Sequence, residues 1–270
     1  MRFGRIWKWW LAAGVVSVAG YFLLSPGLGR TVAYNLIGLV SVVGILVGVR
    51  LHRPARPRLW YWFAGGQILW VLGDLVWEYY QHVLHREPYP SWADAFYLGA
   101  YPLIVAGMLA MLRGHGARDP AALVDAAIVA TGLSLVFWVA VVHPIAADAS
   151  APALERAISV AYPAGDALLL AMLARLLSGG GARTASSRLL GLAALLLLGA
   201  DVGFSVLTLH SDYDSGWLDA GWLLSYVVWA AAALHPSAAV CGTPTASAAA
   251  LIDERTIMEL RTPRMMMILR

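Results

Sequence analysis

Charged residues are scarce in this chain of 270 residues, since Asp, Glu, Lys and Arg together make up only 13% of it. A soluble domain carries about 25% charged residues, so the composition argues against a water-soluble fold. Cysteine occurs once, as Cys241, which excludes an internal disulfide. The sequence also lacks a P-loop, a His-Glu-x-x-His pair and a Gly-x-Ser-x-Gly elbow. No catalytic residue, enzyme activity or cofactor is therefore predicted.

Apolar residues make up 60% of the chain and come in runs of about 20, the length that crosses a hydrocarbon core roughly 30 Å thick. Lipid offers no partner for an unpaired backbone group, so each run is predicted to be helical. The expected fold class is an all-α integral membrane protein with about eight transmembrane helices, followed by a flexible cytoplasmic tail over residues 236–270. The predicted bundle, residues 1–235, has spans near 7–24, 31–50, 59–81, 92–112, 120–142, 155–177, 187–209 and 217–235.

The basic residues indicate how the chain lies in the membrane. With a cytoplasmic N-terminus, sixteen of the nineteen Lys and Arg residues fall on the cytoplasmic side, and only Arg30, Arg86 and Arg156 fall outside. This asymmetry follows the positive-inside rule and places both termini in the cytoplasm. A single lysine among many arginines and alanines is typical of a bacterial protein, so the bacterial inner membrane is the predicted location. Because topology explains the basic residues, the bilayer is the expected partner and nucleic acid is not.

An acidic and aromatic phrase is written twice in the sequence. "SWADAFYLGAY" at 91–101 returns as "GWLDAGWLLSY" at 216–226, and "GAYPLIVAGMLAMLRG" at 99–114 resembles "VAYPAGDALLLAMLAR" at 160–175. The period of about 60 residues predicts three parallel helix-pair repeats, spans 3–4, 5–6 and 7–8, after a leading pair. The repeated positions are Trp92, Asp94, Tyr101, Glu155, Tyr162, Trp217, Asp219 and Tyr226.

Three of these repeated residues, Asp94, Glu155 and Asp219, fall in the first turn of a span that returns from the outer side. An acid at that place caps free N–H groups and complements the helix dipole. A structural role is therefore the favoured interpretation, with Trp92 and Trp217 as anchors at the membrane interface.

Other acids lie deeper in the spans, where an ionised carboxylate costs roughly 2.5–3.5 kcal/mol on insertion scales. Such residues either carry function or form protonated or hydrogen-bonded helix contacts, and both interpretations stay open. The candidates for sensing a ligand or an ion are Asp74, Glu78, Asp166 and Asp201.

Span 3 carries a polar stripe. Asp74, Glu78, His82 and His85 are spaced by 4, 4 and 3 residues, which puts all four on one helix face. The acidic part of this face is predicted to point into the bundle, toward span 7. Imidazole and carboxylate together suit zinc or another divalent metal. His82, His85 and His210 are the candidate metal ligands, and a solvated polar rim is the alternative.

The runs "LGDLVWEYY", "PSWADAFYLGAYPLIVAGMLAML", "AYPAGDALLLAMLARLL" and "ALHPS" resemble the multi-pass N-terminal membrane region of bacterial cyclic-di-GMP signalling proteins. The resemblance covers about residues 55–237. In that family the membrane region precedes cytoplasmic GGDEF and EAL catalytic domains, and this chain has neither catalytic motif.

The resemblance implies a membrane sensor that relays an outer or membrane signal to a cytoplasmic output partner of the GGDEF/EAL type. A second copy of the chain, forming a homodimer, is the other candidate protein partner. The alternative function is a small proton- or cation-coupled transporter, in which the repeats and the buried acids would form the path.

Overall fold

The computed structural model describes residues 3–114, 120–147, 151–178, 184–210 and 216–243. Nearly all of them are helical, and no strand occurs within these ranges. The helices are α1 (Ile6–Leu23), α2 (Leu28–His52), α3 (Pro57–His82), α4 (Trp92–Gly114), α5 (Pro120–Phe137), α6 (His143–Ala147), α7 (Ala153–Ser178), α8 (Ala185–His210) and α9 (Asp219–Leu234). A π-helical stretch, Trp138–Val142, joins α5 to the short α6, and a 3-10 helix, Pro236–Val240, follows α9.

Each predicted span falls on a helix. In the described part of the chain, α1, α2, α4, α7 and α8 are long and apolar enough to cross a membrane. Five helices of this length and composition agree with a multi-pass membrane protein. The sequence predicted about eight spans. Among the others, α9 has only 16 residues, and α3 is long but contains Arg58, Asp74 and Glu78.

Helix α9 lies at the centre of the bundle. Its residues from Tyr226 to Leu234 are all buried, because α1, α2 and α8 pack against it. Glycines on α2 allow the closest of these approaches. A Cβ atom at Gly44 would lie 3.0 Å from the Cβ of Ala230, and one at Gly48 would lie 2.4 Å from the carbonyl oxygen of Ala233. Small residues at helix contacts of this kind let backbones approach closely in membranes.

The predicted helix pairs are neighbours in space. Helix α3 packs on α4, α5 on α7, and α8 on α9. Helix α7 also contacts α4 and α8, so the second pair lies between the first and the third. Short connections between consecutive helices favour such neighbour packing.

The segment after α9 corrects one prediction. Residues 236–270 were predicted to form a flexible tail, but residues 238–243 are buried against the helix ends near Ala55 and Met111. The backbone N–H of Ala55 donates to the carbonyl oxygen of Ala239 at 3.0 Å, and the thiol of Cys241 lies 3.7 Å from the sulfur of Met111. Small side chains explain this burial, because Ala, Ser and Cys fit under closely packed helix ends. Residues 244–270 lie outside the described residues.

Candidate functional site

The acids inside the bundle accept hydrogen bonds from aromatic side chains. The hydroxyl of Tyr97 on α4 donates to Oδ1 of Asp74 on α3 at 2.9 Å. The indole N–H of Trp222 on α9 donates to Oδ1 of Asp201 on α8 at 2.7 Å. Both bonds join the two helices of one predicted pair. Tyr97 and Trp222 occupy the same place in the repeated phrase, whereas Asp201 lies two residues beyond the position that corresponds to Asp74, so the two contacts are similar in kind.

Helices α4 and α7 are joined by a crossed pair of hydrogen bonds. The hydroxyl of Tyr101 on α4 donates to Oδ1 of Asp166 on α7, and the hydroxyl of Tyr162 on α7 donates to Oδ1 of Asp94 on α4. Both distances are 2.7 Å. Each helix therefore supplies one donor and one acceptor to the other. The contact crosses the boundary between the first and second predicted repeats.

Asp94 also has the capping role that its position suggested. Its Oδ2 accepts the backbone N–H of Ser91 at 2.6 Å, while the Ser91 hydroxyl accepts the backbone N–H of Ala93 at 3.2 Å. This reciprocal arrangement is a capping box at the start of α4. The structural interpretation of Asp94 is confirmed, and its second oxygen is left to accept from Tyr162.

Asp219, the counterpart of Asp94, is held from a different direction. Its Oδ2 accepts the hydroxyl of Tyr21 on α1 at 2.5 Å and the guanidinium of Arg30 on α2 at 3.3 Å. The guanidinium carbon of Arg30 also lies 4.6 Å from the ring centre of Tyr21. This cluster ties α1 and α2 to the start of α9. The remaining repeated acid, Glu155, is half-buried in the first turn of α7.

The carboxyl groups of Asp166 on α7 and Asp201 on α8 lie close enough to interact with each other. Asp166 is buried, and an ionised carboxylate has no proton to donate. Two ionised carboxylates placed there would therefore repel each other, with no hydrogen bond between them. The pair links the second predicted repeat to the third, as the crossed bonds link the first to the second.

The polar stripe predicted on α3, from Asp74 to His85, ends at His82 in the structure. Nδ1 of His82 lies 2.8 Å from Oε2 of Glu78, which agrees with their placement one turn apart. Helix α3 ends at His82, and His85 lies beyond it with a left-handed φ of 49°. His85 therefore does not extend the helical face. This face was expected to point into the bundle toward α8. The hydrogen-bond partner of Asp74 is on α4, and α3 packs mainly on α4 and α2.

The structure brings no metal centre together at these side chains. Among the described residues, no three His, Cys, Asp or Glu side chains are grouped so that they could hold a metal ion. The side chain of His210 falls outside the described residues, so its part in the metal hypothesis stays a prediction.

The other repeated residues lie near the starts of α4 and α9 or in the core. Trp92 and Trp217 are exposed, as expected of interface anchors. Tyr226 is buried, with its ring centre 6.2 Å from that of Trp70. Sequence reasoning did not single out Tyr97 and Trp222 as partners of the acids. The available signal was an aromatic residue three positions after the acid in both copies of the phrase.

Comparison of the chain with protein-family models, curated proteins and solved structures finds no match. Any conclusion about function must therefore rest on the arrangement of the chain's own residues. That arrangement is a set of four carboxyl groups inside the bundle, each of which accepts a hydrogen bond from an aromatic side chain on another helix. The bonds connect α3 to α4, α4 to α7 and α8 to α9.

Proposed function

We propose that the protein is a membrane sensor module, which relays an outer or membrane signal to a cytoplasmic output partner. The observation that carries this proposal is the crossed pair of tyrosine–aspartate bonds between α4 and α7. Both acceptors are carboxyl groups, so a proton or a cation on either one changes the strength of the bond across the contact. If the bond has a strong and a weak state, an outer ligand that binds one state more tightly shifts the protein toward that state.

The same logic extends across the predicted repeats. Asp74 with Tyr97 and Asp201 with Trp222 form similar contacts within the first and third pairs, which supports a relation between these two pairs. The Asp166–Asp201 contact joins the second pair to the third. A change in the charge of one acid therefore acts on contacts between pairs, where rigid helix pairs can move relative to one another.

The cytoplasmic end offers a route from the bundle to a partner. The backbone N–H of Ser186 at the start of α8 donates to the hydroxyl of Ser237 at 2.9 Å, and Cys241 contacts Met111 near the end of α4. A relative movement of α4 and α8 would thus displace residues 237–243, which lead into the tail. By resemblance, the output partner reached in this way is a protein of the GGDEF/EAL type.

Thiol labelling at Thr243 tests this route. Thr243 is buried, so a cysteine placed there, in a Cys241→Ser background, reacts with maleimide only when the segment opens. Tyr101→Phe removes one of the crossed bonds and should change the labelling rate several-fold in protein held in nanodiscs. Tyr61→Phe, on an exposed face of α3, is the matched control and should leave the rate unchanged. Equal rates in all three proteins would refute the coupling.

One observation favours a proton-coupled transporter as a second candidate. The carboxyl groups of Asp166 and Asp201 interact with each other inside the bundle, as neighbouring acids of a proton relay do. Proteoliposomes with an internal pH dye separate the two functions. A transporter should dissipate an imposed pH gradient, and Asp166→Asn should abolish that flux. A sensor should show no flux while its tail still responds.

A further inference from the structure

We infer that Asp74 is a proton-binding site that is reached from the outer surface along one face of α3. The inference rests on the proposed sensor function in one respect: if the protein is a sensor, a proton site at Asp74 would make outer pH the signal. The proton site itself depends only on the residues around Asp74.

The two oxygens of Asp74 have different surroundings. Oδ1 accepts the hydroxyl of Tyr97 at 2.9 Å, whereas Oδ2 is buried and has no hydrogen-bond partner among the described residues. A buried carboxylate oxygen without a donor is strongly unfavourable. A proton on Oδ2 removes the negative charge and leaves the bond from Tyr97 to Oδ1 intact.

The groups that face Asp74 favour a cationic ligand. They are Tyr34 on α2, Glu78 on α3, Tyr97 on α4, and Asp219 and Tyr226 on α9. Each of these groups is an acid or a phenol, and the one nearby guanidinium, Arg30, is already bonded to Asp219. A cation or a proton that enters from outside would therefore neutralise the charge of Asp74.

The outer half of α3 provides the entrance. Glu78 lies one turn outward of Asp74, and His82 lies one further turn out, with Nδ1 2.8 Å from Oε2 of Glu78. Exposure of the side chains rises along this face, from 26% at Glu78 to 44% at His82. Four residues of helix advance about 6 Å, so two steps connect Asp74 to solvent. Carboxylate and imidazole are the side chains that most readily pass protons.

The inner half of the same face adds an independent observation. Gln67 lies seven residues before Asp74, two turns deeper, and its side chain is 0% exposed. Neither its amide nitrogen nor its amide oxygen has a hydrogen-bond partner in the part of the chain that the structure describes, and the same holds for the indole nitrogen of Trp229. Gln67 thus places a second unpaired polar side chain on the face of α3 that carries Asp74. Packing alone does not explain it, since an apolar residue would avoid the unpaired amide.

Difference infrared spectroscopy on the full chain in nanodiscs tests the site, because a protonated carboxylic acid has a carbonyl band that a carboxylate lacks. The wild type should show such a band that is lost as pH rises, and Asp74→Asn should lose that component. Tyr97→Phe removes the donor that favours the charged form, so in this variant the band should persist to higher pH. Glu87→Gln, on the exposed outer loop, is the matched control and should leave the component unchanged.

Two results would overturn the inference. One is an infrared difference spectrum that is the same in the wild type, in Asp74→Asn and in Tyr97→Phe. The other is loss of the Asp74 component on adding sodium at constant pH, which would make the ligand a metal cation. If the component is present but outer pH leaves labelling at Thr243 unchanged, the proton site stands and the sensor proposal fails. If labelling responds to pH equally in the wild type and in Asp74→Asn, the sensor stands and its proton site is elsewhere.

Discussion

Replacing Gly48 by alanine tests the packing of α2 against the central helix α9. The new Cβ would lie 2.4 Å from the carbonyl oxygen of Ala233 and 2.9 Å from the Cβ of Ala233. The nearest atoms belong to the backbone of α9, so no side-chain rotation can relieve the contact and the two helices must separate. Overpacking of this kind costs about 1–3 kcal/mol.

A matched substitution isolates that cost. Gly199 on α8 has no heavy atom within 4 Å of the position its Cβ would take, in the described part of the protein. Both substitutions gain about 0.8–1.0 kcal/mol in helix propensity, so this gain cancels in the comparison. Gly48→Ala should therefore be less stable than Gly199→Ala by about 1–3 kcal/mol.

Reversible unfolding in one detergent system measures both variants against the wild type. Gly199→Ala is expected to match or exceed the stability of the wild type, and Gly48→Ala to fall below it. If the two variants unfold at the same denaturant concentration, α2 does not approach α9 as closely as the structure places it. The central position of α9 would then have to be reconsidered.

Three further predictions concern the cysteine, the crossed bonds and the topology. Burial raises the pKa of the Cys241 thiol to about 11, and the thiolate is the reactive form, so maleimide should label Cys241 in unfolded protein and hardly at all in folded protein at neutral pH. Rapid labelling of the folded protein would contradict the packing of this segment. Tyr101→Phe and Tyr162→Phe should each destabilise the protein by about 0.6–1.7 kcal/mol, and a non-additive double variant in the same unfolding assay would show that the two bonds act together. Strict additivity would mean that they act independently. In a Cys241→Ser background, an impermeant maleimide should label Glu87→Cys in intact cells but Ala55→Cys only after permeabilisation, and the opposite pattern would invert the topology.

The sequence predicts the helices well because hydrophobic length is a local property. Every predicted span lies on a helix, and the Ser-x-x-Asp pattern marks the start of α4, where Ser91 and Asp94 form the expected cap. Both signals depend only on residues close in the chain. They require no knowledge of how one helix is rotated against another.

The partners of the acids depend on that rotation and were harder to predict. The repeat suggested that Asp74 faces α8, yet Asp74 bonds to Tyr97 on the next helix along the chain. A residue's face follows from the helical period, but the neighbour of that face follows from packing. The packed segment after α9 was missed for a related reason. Its Pro, Ser and Ala composition is also that of a linker. The segment is buried because it fits under the packed helix ends, which its composition does not reveal.

The same phrase meets a different partner at each end of the predicted array, which suggests a purpose for the leading helices. Asp94 accepts from Tyr162 on α7, whereas Asp219 accepts from Tyr21 on α1. In the described part of the chain, α1 supplies to the second helix of the third predicted pair the tyrosine that α7 supplies to α4. Helices α1 and α2 lack the repeated phrase, yet they pack on α9 and satisfy its first acid. A row of parallel pairs must end somewhere, and a terminal unit with a different sequence is how repeat proteins cover the exposed side of their last copy. We infer that the leading pair has this covering role for the third predicted pair, because α1 and α2 both pack on α9.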